Sequence, residues 1–291
     1  MIWGRTSLQH APMKFIHLTD SHLVAPPQRL FDMDMAARLR GAVESISRHH
    51  SDAAFCIFTG DVTHWGETEA FAEFREIMNR LPVPWHAIPG NHDIRQVFRE
   101  VLPETPAGLP GFIQYGLDTP AGRFLLLDTV NEGQAGGVLC QQRLDWLRGE
   151  LDKAADTNVY LFMHHAPMNV GIAGLDRIRL DNGEEFGDLI TAYPNVRHLF
   201  FGHLHRACHG SWRGVAFSTV KATAHQLAFT LDPEAPIISS RENPNYAVVL
   251  ISKDSLIVHD HSYLDEDKAF SYDRGTPEGT DEPPEHQSDW G

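Results

Sequence analysis

The stretch Ala54-Phe55-Cys56-Ile57-Phe58-Thr59-Gly60-Asp61 sets the pattern of this 291-residue chain, because an apolar run of strand length ends in a glycine and a carboxylate. Such a run is typical of a buried strand. Four other apolar runs also lead into polar clusters: 15–18 before Asp20-Ser21-His22, Trp85–Ile88 before Gly90-Asn91-His92-Asp93, Val159–Met163 before His164-His165, and Val196–Phe201 before Gly202-His203-Leu204-His205. Five such clusters in one order are hard to obtain by chance.

Amphipathic helices are predicted between these runs, because apolar residues recur there every three or four positions. The four stripes are Met35, Leu39, Ala42, Val43 and Ile46; Phe71, Phe74, Met78 and Leu81; Leu144, Leu147 and Leu151; and Phe186, Leu189, Ile190 and Tyr193. Alternating strands and helices predict an α/β fold with a largely parallel or mixed sheet covered by helices. Ligands gather at the carboxyl ends of strands in such sheets, and all five clusters fall there. We expect Gly60, Gly90 and Gly202 to let the chain turn sharply beside a ligand.

The pattern changes after His205 to short alternating segments, which predict a second sheet rich in hairpins. The predicted strands are 207–212, 215–220, 226–231, 246–251 and 256–262, with turns at Arg213-Gly214 and Lys253-Asp254.

Composition favours one large globular domain, predicted to span 13–264, because 42% of the residues are hydrophobic. No run approaches the roughly 18 apolar residues of a membrane helix, so membrane insertion is not expected. Residues 1–12 are interpreted as an N-terminal extension without the apolar core of a secretory signal. The three cysteines are odd in number and scattered, which favours a reducing cytoplasm over a disulfide framework.

The net charge of −15 is unevenly placed. The predicted acidic tail, 265–291, holds nine acidic and two basic residues, so −7 lies there and −8 in the rest. Its composition is typical of disorder, although Phe270, Tyr272 and Trp290 could pin it to its own domain or to a neighbouring subunit. An acidic body repels polyanions, so a long nucleic acid partner is not expected.

The clusters contain enough oxygen and nitrogen ligands for two metal ions. Asp20 and His22, two residues apart at a strand end, are expected on the same side of the chain. The predicted partition gives metal one Asp20, His22, Asp61 and His205, and gives metal two Asp61, Asn91, His164 and His203. Mixed ligation without thiolate suits Mn, Fe, Co or Zn.

Two such ions about 3.5–4 Å apart clamp an in-line displacement and lower the pKa of a bridging water. Two divalent ions, two aspartates and a hydroxide leave a net positive charge that attracts a phosphodiester. His92 is expected beside the site, as a general acid for the leaving alkoxide or as a donor to a phosphoryl oxygen. Asp93 either orients His92 or caps the next helix. The clusters therefore indicate a phosphate ester hydrolase.

Three further histidines have open interpretations. His165 either supports a ligand from behind or contacts the phosphate. His64 and His225 either face the cleft or are ordinary surface or interior histidines.

The ordered set D-x-H, G-D, G-N-H-D, H and G-H-x-H resembles the calcineurin-like metallophosphoesterase superfamily. Within it, the chain is similar to bacterial class III cyclic-nucleotide phosphodiesterases and to glycerophosphodiesterases over residues 13–261. Supporting stretches are Asp20-Ser21-His22-Leu23, Leu127-Asp128-Thr129 and His164-His165-Ala166-Pro167. The resemblance implies a four-layer α/β/β/α sandwich of two mixed sheets flanked by helices, a dinuclear site held by the seven residues above, His92 as the catalytic histidine, and a homodimer or higher homo-oligomer. Relatives often have proline where this chain has Ala166, which leaves the shape of that loop open.

The implied reaction is hydrolysis of a small phosphodiester, of cyclic-nucleotide or glycerophosphodiester type. A metal-bridging hydroxide attacks and His92 assists the leaving group, so His92 and Asp61 are the predicted catalytic residues. A phosphomonoesterase and a phospholipid head-group diesterase are alternatives on the same site. A non-catalytic scaffold is disfavoured because such scaffolds tend to lose ligands, and a metallo-β-lactamase-like hydrolase because the chain lacks H-x-H-x-D-H. Segments 24–31, 170–181 and 221–226 are expected to shape the pocket.

Overall fold

A computed structural model describes residues 12–106 and 108–268. The elements in chain order are β1 (Met13–Leu18), α1 (Met35–His49), β2 (Cys56–Thr59), α2 (Thr68–Met78), β3 (Trp85–Ile88), α3 (Arg95–Val101), β4 (Tyr115–Thr119), β5 (Gly122–Leu126), α4 (Gln141–Lys153), β6 (Val159–Met163), α5 (Ala173–Asp176), α6 (Gly183–Thr191), β7 (Val196–Phe201), β8 (Cys208–Trp212), β9 (Val215–Thr219), β10 (Gln226–Leu227), β11 (Ser239–Ser240), β12 (Tyr246–Ile251) and β13 (Leu256–His261). The predicted extension and tail lie almost wholly outside the described residues, so those domain boundaries stay predictions. No helix within the described ranges has the length and apolar character needed to cross a membrane.

Two large mixed sheets form the centre of the fold. The first has the order β13-β12-β1-β2-β3. Strands β1, β2 and β3 are parallel to one another, and β12 is antiparallel to both of its neighbours, β1 and β13. The second has the order β4-β5-β6-β7-β9-β8, with parallel central strands and an antiparallel strand at each edge. Helices flank both sheets, so the predicted fold class is confirmed.

The two sheets pack face to face through phenylalanine side chains. The ring of Phe15 in β1 lies 5.4 Å from Phe124, 5.8 Å from Phe162 and 5.5 Å from Phe200, in edge-to-face geometry. Phe162 and Phe200 are direct partners between β6 and β7, and their rings stack at 4.8 Å. Aromatic pairs of this kind contribute beyond the area they bury. This cluster holds the carboxyl ends of both sheets at one edge of the molecule.

Side-chain alternation along each strand supplies the outer layers. Leu161 and Leu199, next to those phenylalanines, face the opposite way and belong to a separate apolar cluster with Leu147 of α4 and Phe186 of α6. On the first sheet, Phe58 packs on Phe74 of α2 at 4.9 Å between ring centroids. The central strands of each sheet are therefore buried on both faces, which explains why strands such as β2 and β6 are continuous apolar runs.

The prediction that the hairpins after His205 form a sheet of their own is wrong. The hairpin β8–β9 extends the sheet of β4 to β7, while β12–β13 extends the sheet of β1 to β3. Strand pattern does not specify a partner, and each parallel sheet offers a free edge whose backbone groups need pairing. The Arg213-Gly214 turn between β8 and β9 is confirmed, and both residues have positive φ.

Other local predictions fail where burial does not follow the pattern. The strand predicted at 226–231 is reduced to β10, because Phe229 and Leu231 are exposed and their alternation faces no core. The hairpin β4–β5 was not predicted, since its glycines and Asp118 have weak strand propensity. The short helix α3 follows Asp93, where a helix was expected, but it begins at Arg95 and its N-cap residue, Ile94, makes no side-chain hydrogen bond.

We expect Phe162→Ala to lower the free energy of unfolding by about 3–5 kcal/mol, because it opens a cavity between the sheets. Urea unfolding followed by circular dichroism measures this change. The control Ile257→Ala alters a side chain that is 45% exposed on the edge strand β13, and it should change stability by no more than about 0.5 kcal/mol. Equal losses in both variants would contradict the sheet-to-sheet packing.

Candidate metal centre

The first predicted pair of ligands lies in a turn rather than on a strand. β1 ends at Leu18, and Asp20 and His22 follow with φ of 53° and 43°. Their backbone amides donate to Gly60 O and Asp61 O at 3.0 Å each, which fixes this turn beside the end of β2. Asp20 and His22 do lie together, as expected, but this turn with positive φ brings them there rather than strand alternation.

Left-handed backbone recurs across the site. Asp61, His203 and His205 have φ of 51°, 66° and 48°, so five of the seven predicted ligands adopt a conformation that non-glycine residues avoid. Such strain costs about 1–3 kcal/mol per residue, and it persists where the surroundings determine the conformation and function requires it.

Four predicted ligands converge in one buried group: Asp20, His22, Asp61 and His205, whose donor atoms all lie within 4.8 Å of one another. His22 Nε2 is 3.0 Å from His205 Nε2. Asp20 Oδ1 is 3.4 Å from His205 Nε2. These are the four residues that the sequence assigns to metal one.

The other predicted ligands form a neighbouring group around His164. Its Nε2 atom lies 3.1 Å from Asn91 Oδ1 and 3.2 Å from His203 Nδ1. Asp61 Oδ2 lies 3.4 Å from His164 Nε2 and also 3.4 Å from His22 Nε2. Asp61 Oδ1 instead accepts a hydrogen bond from His92 N at 2.9 Å. One oxygen of Asp61 therefore faces both groups, as a shared ligand must.

Backbone carbonyls orient two of the imidazoles from the side that faces away from the centre. His164 Nδ1 donates to Thr59 O, and His205 Nδ1 donates to His225 O, each at 2.7 Å. Because a carbonyl oxygen only accepts, Nδ1 carries the hydrogen and Nε2 faces the centre. A backbone carbonyl behind the ring is the usual support of a metal-bound histidine.

The charge balance of the site fits metal cations. Asp20 Oδ1 is buried and has no hydrogen-bond partner among the described residues. Burial alone would raise the pKa of Asp61, but His164 and His22 hold it well below its ordinary value. Burial would lower the pKa of His164, but Asp61 and Asp20 raise it to about 9. The centre thus attracts positive charge strongly, and a divalent ion would replace that proton.

The chain turns at the predicted glycines, and two of them also leave space: Asp93 N donates to Gly90 O at 3.1 Å, and Leu204 N donates to Gly202 O at 2.7 Å. A Cβ on Gly90 would lie 2.2 Å from Asp61 Oδ1, and one on Gly202 would lie 2.0 Å from Thr19 Oγ1. Gly60 has a φ of 96°, so the expected sharp turn is found there. Side chains at Gly90 and Gly202 would displace the residues that surround the centre.

Asp93 does neither of the things expected of it. Its buried carboxylate accepts from the backbone amides of Val62, Thr63 and Gly90 at 2.9–3.0 Å and from Thr63 Oγ1 at 3.0 Å. It therefore ties the loop after Asp61 to the turn before Asn91. Among the described residues, the Asp93 carboxylate makes no hydrogen bond to His92, and α3 has no side-chain cap.

His92 lies beside the centre and is half-buried. Its Nδ1 atom donates to His64 O at 2.7 Å, and its ring stacks on His64 at 4.7 Å. The ring centroid of His22 is also 4.7 Å away. His22, His64 and His92 form a further group of close donor atoms that the sequence did not indicate. His64 thus lies at the site, where one of its two interpretations placed it.

His165 and His225 lie next to the ligands, on different sides. The buried ring of His165 bonds Thr129 Oγ1 at 2.7 Å and Ala135 O at 3.2 Å, which occupies both nitrogens and favours a supporting role. The ring of His225 lies 4.6 Å from His205, and its Nδ1 atom is buried without a hydrogen-bond partner among the described residues. Burial lowers the pKa of His225 to about 3, so this imidazole is neutral.

Sequence reasoning missed the residues that hold the ligands from behind. Thr59 supports His164 through its carbonyl, and Thr63 binds Asp93 through both its amide and its hydroxyl. The missed Trp65 is exposed beside His64. Each of these residues lies within a few positions of Asp61 in the sequence. That position is only a weak signal of a role at the site, because threonine and tryptophan have many ordinary roles.

Comparisons with known proteins show what this chain is similar to. A family model described as calcineurin-like phosphoesterase matches residues 13–207. A probable cyclic nucleotide phosphodiesterase of Rhodopseudomonas palustris is 39% identical over 262 residues, which cover 89% of this chain and 96% of that protein. The glycerophosphodiester phosphodiesterase GpdQ of Enterobacter lignolyticus is 30% identical over 77% of this chain and 82% of its own length. The 3′,5′-cyclic adenosine monophosphate phosphodiesterase CpdA of Pseudomonas aeruginosa is 30% identical over 80% and 86%.

Solved structures share the fold at low identity. A dimetal phosphatase from Danio rerio superposes with a TM-score of 0.65 at 16% identity, over 87% of this chain and 97% of that chain. A purple acid phosphatase from yellow lupin superposes with a TM-score of 0.67 at 13% identity, over 88% and 52%. At these identities the likeness concerns the fold alone.

We expect Asn91→Ala to bind one metal equivalent firmly and the second weakly, because Asn91 Oδ1 faces only the group around His164. Elemental analysis after dialysis against metal-free buffer measures the stoichiometry. Asn91→Asp keeps an oxygen ligand and should retain both equivalents. Two firmly bound equivalents in Asn91→Ala would refute the partition of ligands.

Proposed function

The chain belongs to the calcineurin-like phosphoesterase family, and from that premise we propose that it hydrolyses a small phosphodiester, of cyclic-nucleotide or glycerophosphodiester type. It is a metal-dependent phosphoric ester hydrolase. The observation that carries the proposal is the position of Asp61 Oδ2, which lies 3.4 Å from an imidazole nitrogen of each ligand group.

The proposed ligands of one ion are Asp20, His22, Asp61 and His205. Those of the other are Asp61, Asn91, His164 and His203. When bound, such a metal pair supplies Lewis-acid stabilisation of the phosphoryl oxygens and activates water near neutral pH. The protein's part is to hold these side chains in place, through Thr59 O behind His164 and His225 O behind His205.

His92 is the proposed proton donor to the leaving alkoxide. Its Nδ1–H is held by His64 O, so Nε2 is the nitrogen available to the substrate. The stacked ring of His64 and the edge of the His22 ring restrict its rotation. A proton delivered at a fixed position typically accelerates such a step by about 10²–10⁴-fold.

A diester is favoured over a monoester because the similar proteins that cover most of this chain are named phosphodiesterases. A phosphomonoesterase or a phospholipid head-group diesterase would use the same ligands, so these remain the alternatives. A non-catalytic scaffold is the third candidate, and the retention of His92 and of all seven predicted ligands argues against it.

Several finer predictions accompany this proposal. Mixed oxygen and nitrogen ligation favours Mn, Fe, Zn or Co as the native ions, in divalent or mixed-valence pairs. A homodimer or higher homo-oligomer and a cytoplasmic location stay predictions. All three cysteines are free, which accords with a reducing compartment.

We expect His92→Ala to retain its metals and to lose about 10²–10⁴-fold in kcat on diesters with alkoxide leaving groups. The loss should be much smaller on an aryl diester, whose leaving group needs little protonation. His259→Ala, an exposed histidine on β13, is the matched control and should keep full activity. Unchanged turnover of His92→Ala on an alkyl diester would exclude the acid role.

A rate panel with Mn²⁺-reconstituted protein tests the substrate class. It compares bis(p-nitrophenyl) phosphate, p-nitrophenyl phosphate, 3′,5′-cyclic AMP and glycerophosphoethanolamine. We expect kcat/KM to be higher for the aryl diester than for the aryl monoester, with turnover of at least one natural diester. A preference for the monoester would favour the phosphatase alternative.

A further inference from the structure

A strained turn holds an aromatic ring at the edge of the metal centre. Leu30 and Met33 pair through two backbone hydrogen bonds of 3.2 and 2.9 Å, and the intervening Phe31 and Asp32 have φ of 52° and 59°. Two-residue turns with two positive φ values normally use Asn-Gly, because bulky side chains are disfavoured there. A phenylalanine in this position is therefore maintained against its own backbone preference.

Core packing does not account for this phenylalanine. Phe31 is 47% exposed, and its ring lies 4.9 Å from His225 and 6.2 Å from His64, both beside the metal ligands. Arg241 Nη2 donates to Phe31 O at 3.1 Å and holds the turn from outside. The turn thus presents an apolar face to solvent next to the centre, and strain of this kind is typical of functional positions.

A second exposed aromatic side chain, Trp65, also lies beside the His64 imidazole. Trp65 is 54% exposed, and its ring lies 4.9 Å from His64. His64 stacks in turn on His92, the proposed proton donor. Phe31, His64 and Trp65 therefore form a continuous aromatic rim beside the position where the scissile ester must lie.

We propose that this aromatic rim binds the nucleobase of a nucleotide diester while its phosphate occupies the metal centre, which makes Phe31 and Trp65 specificity-determining residues. The inference rests on the proposed function and narrows it to nucleotide substrates. Bases stack on exposed aromatic side chains because every base has a flat π-face.

The charge around the rim favours a base over the other ligand of aromatic rims, a quaternary ammonium. Two divalent ions bound at the neighbouring centre would place positive charge beside the rim, which repels a cation but not a neutral base. Asp32 is the acidic residue on the turn, but its side chain is 97% exposed and lies 3.8 Å from the Arg241 guanidinium. It therefore offers a cationic ligand little.

The test compares substrates with and without a base on the Mn²⁺-loaded protein. For Phe31→Ala and Trp65→Ala we expect kcat/KM on 3′,5′-cyclic AMP to fall about 5- to 150-fold, the range that base–aromatic stacking gives. The same variants should keep kcat/KM on glycerophosphoethanolamine within about twofold. Ile257→Ala should change neither. Equal losses on both substrates, no loss on either, or a loss confined to glycerophosphocholine would each overturn the proposal.

Tryptophan fluorescence supplies a readout that needs no turnover. Titration of the Mn²⁺-loaded protein with 5′-AMP should quench emission, ribose 5-phosphate should not, and Trp65→Phe should abolish the change. Equal quenching in wild type and Trp65→Phe would refute the rim. The two proposals can fail separately. If the protein does not hydrolyse bis(p-nitrophenyl) phosphate, the proposed function is wrong. If it does, but Phe31→Ala and Trp65→Ala leave kcat/KM on 3′,5′-cyclic AMP unchanged, only the rim is refuted.

Discussion

A single carboxylate oxygen, Asp61 Oδ2, constrains the rest of this structure, because it lies 3.4 Å from an imidazole of each ligand group. A buried carboxylate is tolerated only when positive charge and hydrogen-bond donors surround it. His92 N, His22 and His164 provide part of that environment, and metal ions fit the remainder. The loops that carry these residues leave different strands, so both sheets must place their carboxyl ends around Asp61.

The strain of the centre depends on the packing beneath it. Asp20, His22, Asp61, His203 and His205 all adopt left-handed backbone, which the stable sheets must offset. The stacked Phe162 and Phe200 and the edge-on Phe15 make the two sheets one rigid support. Asp93 then locks the loop after β2 to the turn after β3 through four hydrogen bonds. The rigid packing of the two sheets thus allows the ligand loops to keep their strained backbone.

Our proposals assign reaction type and substrate choice to different parts of the molecule. The proposed ligand groups and His92 would serve the chemistry that phosphoesters share. The exposed Phe31 and Trp65 lie outside them, on loops that follow the D-x-H and G-D clusters. Loops at strand ends tolerate change without loss of the core, so one centre can serve different substrates. We therefore place the proposed base selectivity in this rim.

The sequence by itself determined the ligand types, their order and most strands beside them, because buried strands and metal ligands need particular residues locally. Val159–Met163 and Val196–Phe201 were predicted with their observed bounds. Only the tertiary structure decided that the late hairpins divide between two sheets, that Asp93 joins two loops, and that Phe31 reaches His225. These depend on edge pairing, backbone strain and contacts between distant residues, none of which leaves a periodic pattern in the chain.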